Sequence, residues 1–137
     1  MKFRQQISNI LLEESKLMEI VKLIGSDVLP DDQKLVLEVA KVIRVGILQQ
    51  NAYHRDDTYV PLPKQLKMME VVLYFYNKAK TVVGKGVPIS ELTQTGLLES
   101  LTKIKYDVPN DNLALFDNYY KDIDEKLGQL NRLAEQY

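Results

Sequence analysis

The sequence predicts an all-α protein, a compact bundle of five to six helices, and three observations support this fold class. Apolar residues recur at three- and four-residue steps along most of the chain, which is the period of a helix with one buried face. Glycine or proline interrupts the apolar stretches where a helix would end or begin. The 137 residues contain no internal repeat and no convincing linker, so we expect residues 1–137 to form a single helical domain.

The first helix carries one long apolar stripe and is predicted to stop at Gly25, because glycine ends a helix at little steric cost. The stripe consists of Ile7, Ile10, Leu11, Leu17, Met18, Val21 and Ile24. The next segment, 26–32, contains one proline and three aspartates and is predicted to be a loop. Asp31 and Asp32 are expected in the first turn of the second helix, where the helix dipole favours negative charge.

The second helix is predicted from the spacing of its apolar residues, which are Val36, Val39, Ala40, Ile43 and Ile47. Its β-branched residues make a strand the competing interpretation, but the spacing and the length favour a helix. A polar and aromatic connection over 50–63 ends in Pro-Leu-Pro. The third helix is expected from Gln65 to Val83, and Gly84 ends it.

The second half of the chain is predicted to contain shorter helices. Pro88 suits the first turn of a helix, and 90–105 is expected to form one or two short helices interrupted near Gly96. Asn110 or Asp111 is expected to cap the last helix. That helix is marked by an apolar series, which is Leu113, Phe116, Tyr120, Ile123, Leu127, Leu130 and Leu133.

The composition excludes several classes of function. The formal net charge of −1 and the isoelectric point of about 5.9 argue against nucleic acid as a partner, because such binders carry a broad basic surface. The chain has no cysteine, which excludes disulfides, zinc–thiolate sites and cysteine nucleophiles. No apolar run approaches the roughly 20 residues of a membrane-spanning helix, so we expect no direct membrane insertion. The N-terminus lacks the features of a signal peptide.

Few residues suggest chemistry. His54, the only histidine, lies near Asp56 and Asp57, and a metal site there competes with the favoured interpretation of a stabilised turn. The glycines on either side of Lys85 lack the spacing of a phosphate-binding loop and are interpreted as a helix-ending turn. We therefore predict no catalytic residue and no metal site in this chain.

Two further patterns are interpreted as structural. The run from Leu73 to Tyr76 is predicted to form a core seam whose tyrosine hydroxyls reach the surface, rather than a platform for stacking bases. Acidic pairs on predicted helix faces or helix starts are interpreted as solvated charge, and these are Glu13–Glu14, Asp31–Asp32 and Asp56–Asp57.

The most specific feature is an ordered string over residues 11–59. The helix LLEESKLMEIVKLIG is followed by the acidic loop SDVLPDDQ and then by KLVLEVAKVIRVGILQQNAYHRDDTY. In this order the string resembles the C-terminal helical domain of the catalytic A subunit of archaeal-type (A/V-type) rotary ATP synthases and ATPases. The likeness is dense from Leu11 to Lys67, returns at 101–106, and is looser elsewhere in the second half.

The resemblance implies two contact sites. The loop is similar to the acidic tip that has the sequence DELSEEDKL in F-type catalytic subunits, which implies contact with the central stalk by Asp27, Val28, Leu29, Pro30, Asp31, Asp32 and Gln33. The later turn is similar to the wall of the adenine pocket in the family, which implies that role for Gln50, Asn51, Ala52 and Tyr53. An aromatic-plugged turn at a domain edge is the alternative for the second site.

The resemblance also implies a function, that of a lever coupling ATP hydrolysis or synthesis to rotation of the central stalk and to proton or sodium transport. The implied enzyme is the intact subunit, whose upstream nucleotide-binding domain holds ATP or ADP and Mg²⁺, while this chain is predicted to be non-catalytic and to hold no cofactor. The implied partners are the B subunits of the catalytic hexamer and the central-stalk subunits, in the cytoplasm and peripheral to the membrane. Two alternatives stay open, a free-standing helical adaptor and a small α-helical enzyme that uses His54.

Overall fold

The computed structural model of the chain describes residues 2–48 and 61–135, which form helices joined by short turns. No strand occurs in these two ranges, so the predicted all-α fold class is confirmed. The α-helices of these ranges are α1 (Lys2–Ile24), α2 (Asp31–Val42), α3 (Leu62–Gly84), α4 (Ile89–Thr93), α5 (Leu97–Thr102), α6 (Ile104–Asp107) and α7 (Phe116–Ala134). None of them is both long enough and apolar enough to cross a membrane.

Helix α2 is the hub of the bundle, because it contacts α1, α3, α4 and α5. Helix α7 packs against α3. All seven helices contribute buried apolar residues to a common core, for example Ile7, Leu35, Met68, Leu92, Leu97, Ile104 and Ile123. The helical interpretation of the second element, for which a strand competed, is therefore confirmed.

Helix α1 buries a narrower stripe than the sequence predicts. Ile7, Ile10 and Leu17 are buried as expected. Met18 and Ile24 are exposed, so their assignment to the buried stripe is wrong. Met18 directly follows Leu17 and therefore points about 100° away from it around the helix axis. Ile24 is the last residue of α1, within the exposed stretch 22–28.

The segment after α3 breaks more often than the sequence predicts. Pro88 stands immediately before α4, close to its predicted place in the first turn. The predicted break near Gly96 is confirmed, since this glycine has a φ of +79° between α4 and α5. The chain interrupts the helix again at Lys103, so three short helices form where one or two were expected.

The predicted cap of the last helix is wrong. Helix α7 begins at Phe116 after a 3-10 turn over Leu113–Leu115, and no side chain caps it. Asn110 instead accepts, through Oδ1, a hydrogen bond of 2.7 Å from Nζ of Lys64. The two residues lie 46 positions apart, so this use of the amide depends on the tertiary fold.

A π-helical turn, Ile43–Leu48, continues α2 and approaches α5 closely. A Cβ atom at Gly46 would lie 3.0 Å from the carbonyl oxygen of Thr102 and 3.2 Å from that of Leu101. These distances are tighter than ordinary van der Waals contact and the atoms belong to the backbone, so the close approach favours glycine at this position.

Candidate functional site

The predicted central-stalk tip is the turn between α1 and α2, and its backbone is internally hydrogen-bonded. Gly25 ends α1 with a φ of +88°, which confirms the predicted helix stop at a conformation that favours glycine. A 3-10 turn over Ser26–Val28 follows, and the N–H of Leu29 donates to the carbonyl of Ser26 at 3.1 Å. Pro30 then directly precedes α2, as expected of a proline at a helix start.

Exposure divides the seven predicted contact residues into two groups. The exposed residues are Asp27, Val28, Pro30 and Asp32. The others are Leu29, which is buried in the core, and Asp31 and Gln33, which are half-buried. Only part of the loop is therefore available to a partner, and its contact with the stalk stays a prediction.

Asp31 ties the tip to the second half of the bundle. Its Oδ2 atom accepts a hydrogen bond of 3.0 Å from the N–H of Ile89, the first residue of α4. This bond satisfies a donor at a helix start, which has no partner within its own helix. Asp31 is thus an anchor, and its interpretation as solvated charge is wrong, whereas Asp32 is exposed in the first turn of α2 as expected.

A second tie joins the two arms of the α1–α2 hairpin. Arg44 donates from Nη2 and Nε to the carboxylate of Glu14, at 2.7 Å and 3.1 Å. The side chain of Glu14 is only 12% exposed, so its interpretation as solvated charge is also wrong. A planar guanidinium that meets a carboxylate through two nitrogens fixes orientation as well as distance, so the pair opposes sliding of one arm along the other.

Three exposed aliphatic residues surround the tip and are named here the tip patch. Leu23 is 84% exposed, Ile24 is 62% exposed and Val28 is 57% exposed. The resemblance pointed to Val28 but not to the other two, since Ile24 was counted in the buried stripe. No local signal in the sequence marked Leu23 and Ile24 as exposed, since consecutive apolar residues at the end of α3, Val82 and Val83, are both buried.

A cleft beside the tip, named here the tip cleft, has a volume of about 230 Å³. Its walls include the charged residues Asp27, Lys34 and Glu38. Leu37 and Ile89 contribute apolar surface. The volume is below the roughly 300–1,000 Å³ of typical small-molecule sites, so the cleft suits a single side chain better than a nucleotide.

The predicted adenine-pocket wall, Gln50, Asn51, Ala52 and Tyr53, lies outside the described residues, and so do His54, Asp56 and Asp57. The roles suggested for them therefore stay predictions. Within residues 2–48 and 61–135, no three metal-ligating side chains come together.

The turn with a glycine on either side of Lys85, which was compared with a phosphate-binding loop, lies within the described residues. Gly84 is the last residue of α3, and Gly86 follows with a φ of +102°. Lys85 between them donates its backbone N–H to the carbonyls of Thr81 and Val82. This geometry is that of a helix-ending turn, which confirms the favoured interpretation.

The aromatic run of α3 forms a core seam, as predicted. Leu73 and Phe75 are buried, while the half-buried Tyr74 donates its hydroxyl to Oδ1 of Asp124 at 2.5 Å. Lys78 places Nζ 2.6 Å from the same oxygen. The hydrogen bonds from Lys78 and Tyr74 lower the pKa of Asp124, and the hydrogen bond to Asp124 raises the pKa of Lys78.

The sequence comparisons place the chain among known proteins. Residues 1–93 match the family described as the C-terminal domain of V and A type ATP synthase. The chain is 48% identical to the V-type ATP synthase alpha chain 2 of Clostridium tetani over 135 residues. This aligned region is 98% of this chain and 22% of the relative. The chain is 40% identical over 128 residues to the A subunit of the A-type ATP synthase of Methanopyrus kandleri, which covers 93% of this chain and 22% of the relative. The chain thus spans about a fifth of the length of the curated relatives that it matches.

Proposed function

This chain belongs to the family of C-terminal domains of V and A type ATP synthases, and we propose that it serves as the helical C-terminal domain of the catalytic A subunit of such an enzyme. In this proposal, residues 1–137 act as one stiff domain that transmits force from the nucleotide-binding part of the subunit to the central stalk. The intact enzyme couples ATP synthesis or hydrolysis to the transport of protons or sodium ions. The B subunits of the catalytic hexamer are its neighbours, and ATP or ADP with Mg²⁺ binds elsewhere in the subunit.

One observation carries this proposal, the 48% identity to an ATP synthase alpha chain over 98% of this chain. The similarity extends beyond the residues that match the family, because the aligned region includes most of the second half of the bundle. The likeness to this relative therefore runs along almost the whole chain and is not confined to the α1–α2 hairpin.

The described contacts support a lever. Force passes through a protein when its parts move as a rigid body and do not slide or melt. The Glu14–Arg44 pair joins the arms of the hairpin, and Asp31 joins its tip to Ile89 of α4. Leu29 adds an apolar anchor in the core. In our proposal, the tip pushes on the stalk when the nucleotide-binding part closes.

Photo-cross-linking in the assembled enzyme tests the proposed contact. A benzophenone amino acid replaces Val28, and we expect it to capture a protein of the central stalk. The control carries the same group in place of Phe3, an exposed residue at the other end of α1. A helix of 23 residues is about 35 Å long, so this control is expected to miss the stalk. Capture of other subunits only, or of none, from position 28 would contradict the proposal.

We also propose, on the resemblance alone, that the turn formed by Gln50, Asn51, Ala52 and Tyr53 walls the adenine pocket of the intact subunit. An aromatic ring stacked on adenine contributes about 0.5–1.5 kcal/mol, so Tyr53→Ala is expected to raise the KM for ATP by about two- to tenfold. Tyr53→Phe keeps the ring and is expected to leave KM unchanged. Equal KM values for Tyr53→Ala and the unmodified enzyme would exclude this role.

A further inference from the structure

The chain forms a π-helical turn, Ile43–Leu48, shortly before the residues proposed to wall the adenine pocket. Single π-helical turns are rare in proteins and are found frequently at functional sites. This turn is packed into the bundle, since Gly46 and Ile47 are buried. Gln50 follows Leu48 by two residues of chain, which span at most about 7 Å. The place of the π-helical turn therefore limits where the adenine wall can lie.

The π-helical turn rests on the backbone of α5. The close approach of Gly46 to the carbonyl oxygens of Leu101 and Thr102 leaves a Cβ atom only 3.0 Å from the nearer one. The turn also contacts α6. A methyl group at Gly46 would press on backbone atoms, so the turn or α5 would have to shift by a few tenths of an ångström.

The start of α3 is anchored on the same part of the bundle. Lys64 lies in the first turn of α3 and is only 1% exposed. Its Nζ atom donates to the carbonyl of Lys105 in α6 and to Oδ1 of Asn110, both at 2.7 Å. Residues 97–110, named here the α5–α6 support, therefore hold the chain on both sides of residues 49–60.

A shared support fixes the separation between these two flanks. Two flanks on different elements would move apart whenever those elements moved, whereas here both follow the same short helices. Groups that bind a ligand need to be held to within about 0.5 Å by the residues behind them. The shift that a methyl group at Gly46 imposes is of the same order as that tolerance.

We propose that Gly46, Lys64 and Asn110 are positioning residues for ATP, which place the turn 50–53 against the adenine ring by way of the α5–α6 support. This inference rests on the proposed role of that turn and adds the residues that set its place. Adenine takes no part in the cleavage of the phosphate bond, so its contacts contribute equally before and during the reaction. Their loss raises KM and leaves kcat unchanged. A defect in the lever would instead lower kcat.

The test measures KM and kcat for ATP hydrolysis by the assembled catalytic head. Gly46→Ala is expected to raise KM by about two- to fivefold and to leave kcat unchanged. Tyr53→Ala already removes the stacked ring in the proposal. Gly46→Ala is therefore expected to raise KM no further in that background, because both substitutions act through the same contact.

The matched control is Val82→Ala, which also leaves alanine at a buried position. Val82 is fully buried near the other end of α3, about 27 Å from Lys64 along the helix axis. Its loss of two methyl groups lowers stability without touching the contacts of Lys64. We expect this control to leave KM unchanged.

A second pair of variants tests the inference without changing the packing of Gly46. Asn110→Ala removes one of the two acceptors of Lys64 and is expected to raise KM by about twofold. Asn110→Asp keeps an oxygen acceptor for Nζ and is expected to restore KM to near the value of the unmodified head. This pair decides the question if Gly46→Ala prevents assembly.

The outcomes separate this inference from the proposed function. An unchanged KM in Gly46→Ala overturns the inference, while a raised KM in Tyr53→Ala still upholds the adenine wall. The inference is also overturned if the effects of these two substitutions multiply, or if Val82→Ala raises KM as much as Gly46→Ala does. In the second pair, equal KM values for Asn110→Ala and Asn110→Asp overturn it. If Tyr53→Ala leaves KM unchanged, the inference and the adenine wall both fail.

Discussion

Arg44 and Glu14 are 30 positions apart, yet their side chains meet in a two-nitrogen ion pair between the π-helical turn and α1. The side chain of Arg44 is about half exposed, whereas the side chain of Glu14 is mostly shielded from solvent. Because a shielded carboxylate depends on its partner for compensation, this pair contributes to stability as well as to the alignment of the hairpin.

Arg44→Ala is expected to lower the free energy of unfolding by about 1–3 kcal/mol, toward the lower end because solvent screens the half-exposed guanidinium. Lys22→Ala is the control, because Lys22 forms an exposed pair with Glu19 on the same helix. That control is expected to cost about 0–1 kcal/mol. Urea unfolding at pH 7 measures both, and equal losses would mean that shielding of Glu14 has no energetic effect.

The bond between Asp31 and Ile89 predicts a difference between two adjacent aspartates. Asp31→Ala is expected to cost about 1–2 kcal/mol, because it leaves the Ile89 N–H without its acceptor. Asp32→Ala removes only a favourable charge at the start of α2 and is expected to cost about 0.3–1 kcal/mol. Hydrogen exchange at the Ile89 amide should accelerate in the first variant alone. Unchanged exchange in Asp31→Ala would refute the anchor.

Replacing the buried Lys64 is expected to lower the free energy of unfolding. Its Nζ atom donates to the carbonyl of Lys105 and to Oδ1 of Asn110, both at 2.7 Å. Lys64→Met leaves these two acceptors without that donor and is expected to cost about 1–3 kcal/mol. Asn110→Ala removes one acceptor and leaves the other bond, so a smaller loss is expected. Thermal unfolding compares the two, and a neutral or stabilising Lys64→Met would disprove the prediction.

Gly46 and Gly128 predict effects of opposite sign for the same substitution. Gly46→Ala forces a Cβ atom against the backbone of α5 and is expected to cost about 1–3 kcal/mol. Gly128 is within α7, and a Cβ atom there would meet nothing within 4 Å apart from its chain neighbours and the backbone of its own helix, so Gly128→Ala is expected to raise the free energy of unfolding by about 0.4–1 kcal/mol. Denaturant midpoints measure both changes, and a tolerated Gly46→Ala would argue against the close approach.

Asp124 predicts how stability depends on acid. Its pKa in the folded protein is below its ordinary value of 3.8, so between these two values the unfolded chain binds more protons than the folded one. The contribution of Asp124 to the free energy of unfolding is therefore fully present above its ordinary pKa, and it is lost as the pH falls through the pKa in the folded protein. The pair is exposed, so the contribution is about 0.2–1 kcal/mol.

Unfolding between pH 5 and pH 2.5 should show this loss, and Lys78→Met should reduce it because the main cause of the lowered pKa is then absent. An identical slope in the variant and the parent would show that the Lys78 bond does not stabilise the carboxylate.

The sequence by itself determined the fold class and the helix stops that are marked by glycine. The signals for both are local, because helical periodicity is written in three- and four-residue steps and Gly25 and Gly96 adopt the positive φ that their positions require. The ordered string over 11–59 also determined the family, which the comparisons confirm.

Only the tertiary structure decided which polar groups are anchors and which apolar groups are exposed. Glu14, Asp31 and Asn110 looked like ordinary surface or capping residues, yet each bonds a partner distant in sequence. Leu23 and Ile24 continue an apolar helix but face solvent. Periodicity reports the faces of one helix, whereas burial and pairing depend on where the other helices lie, and that arrangement arises only when the whole core packs together.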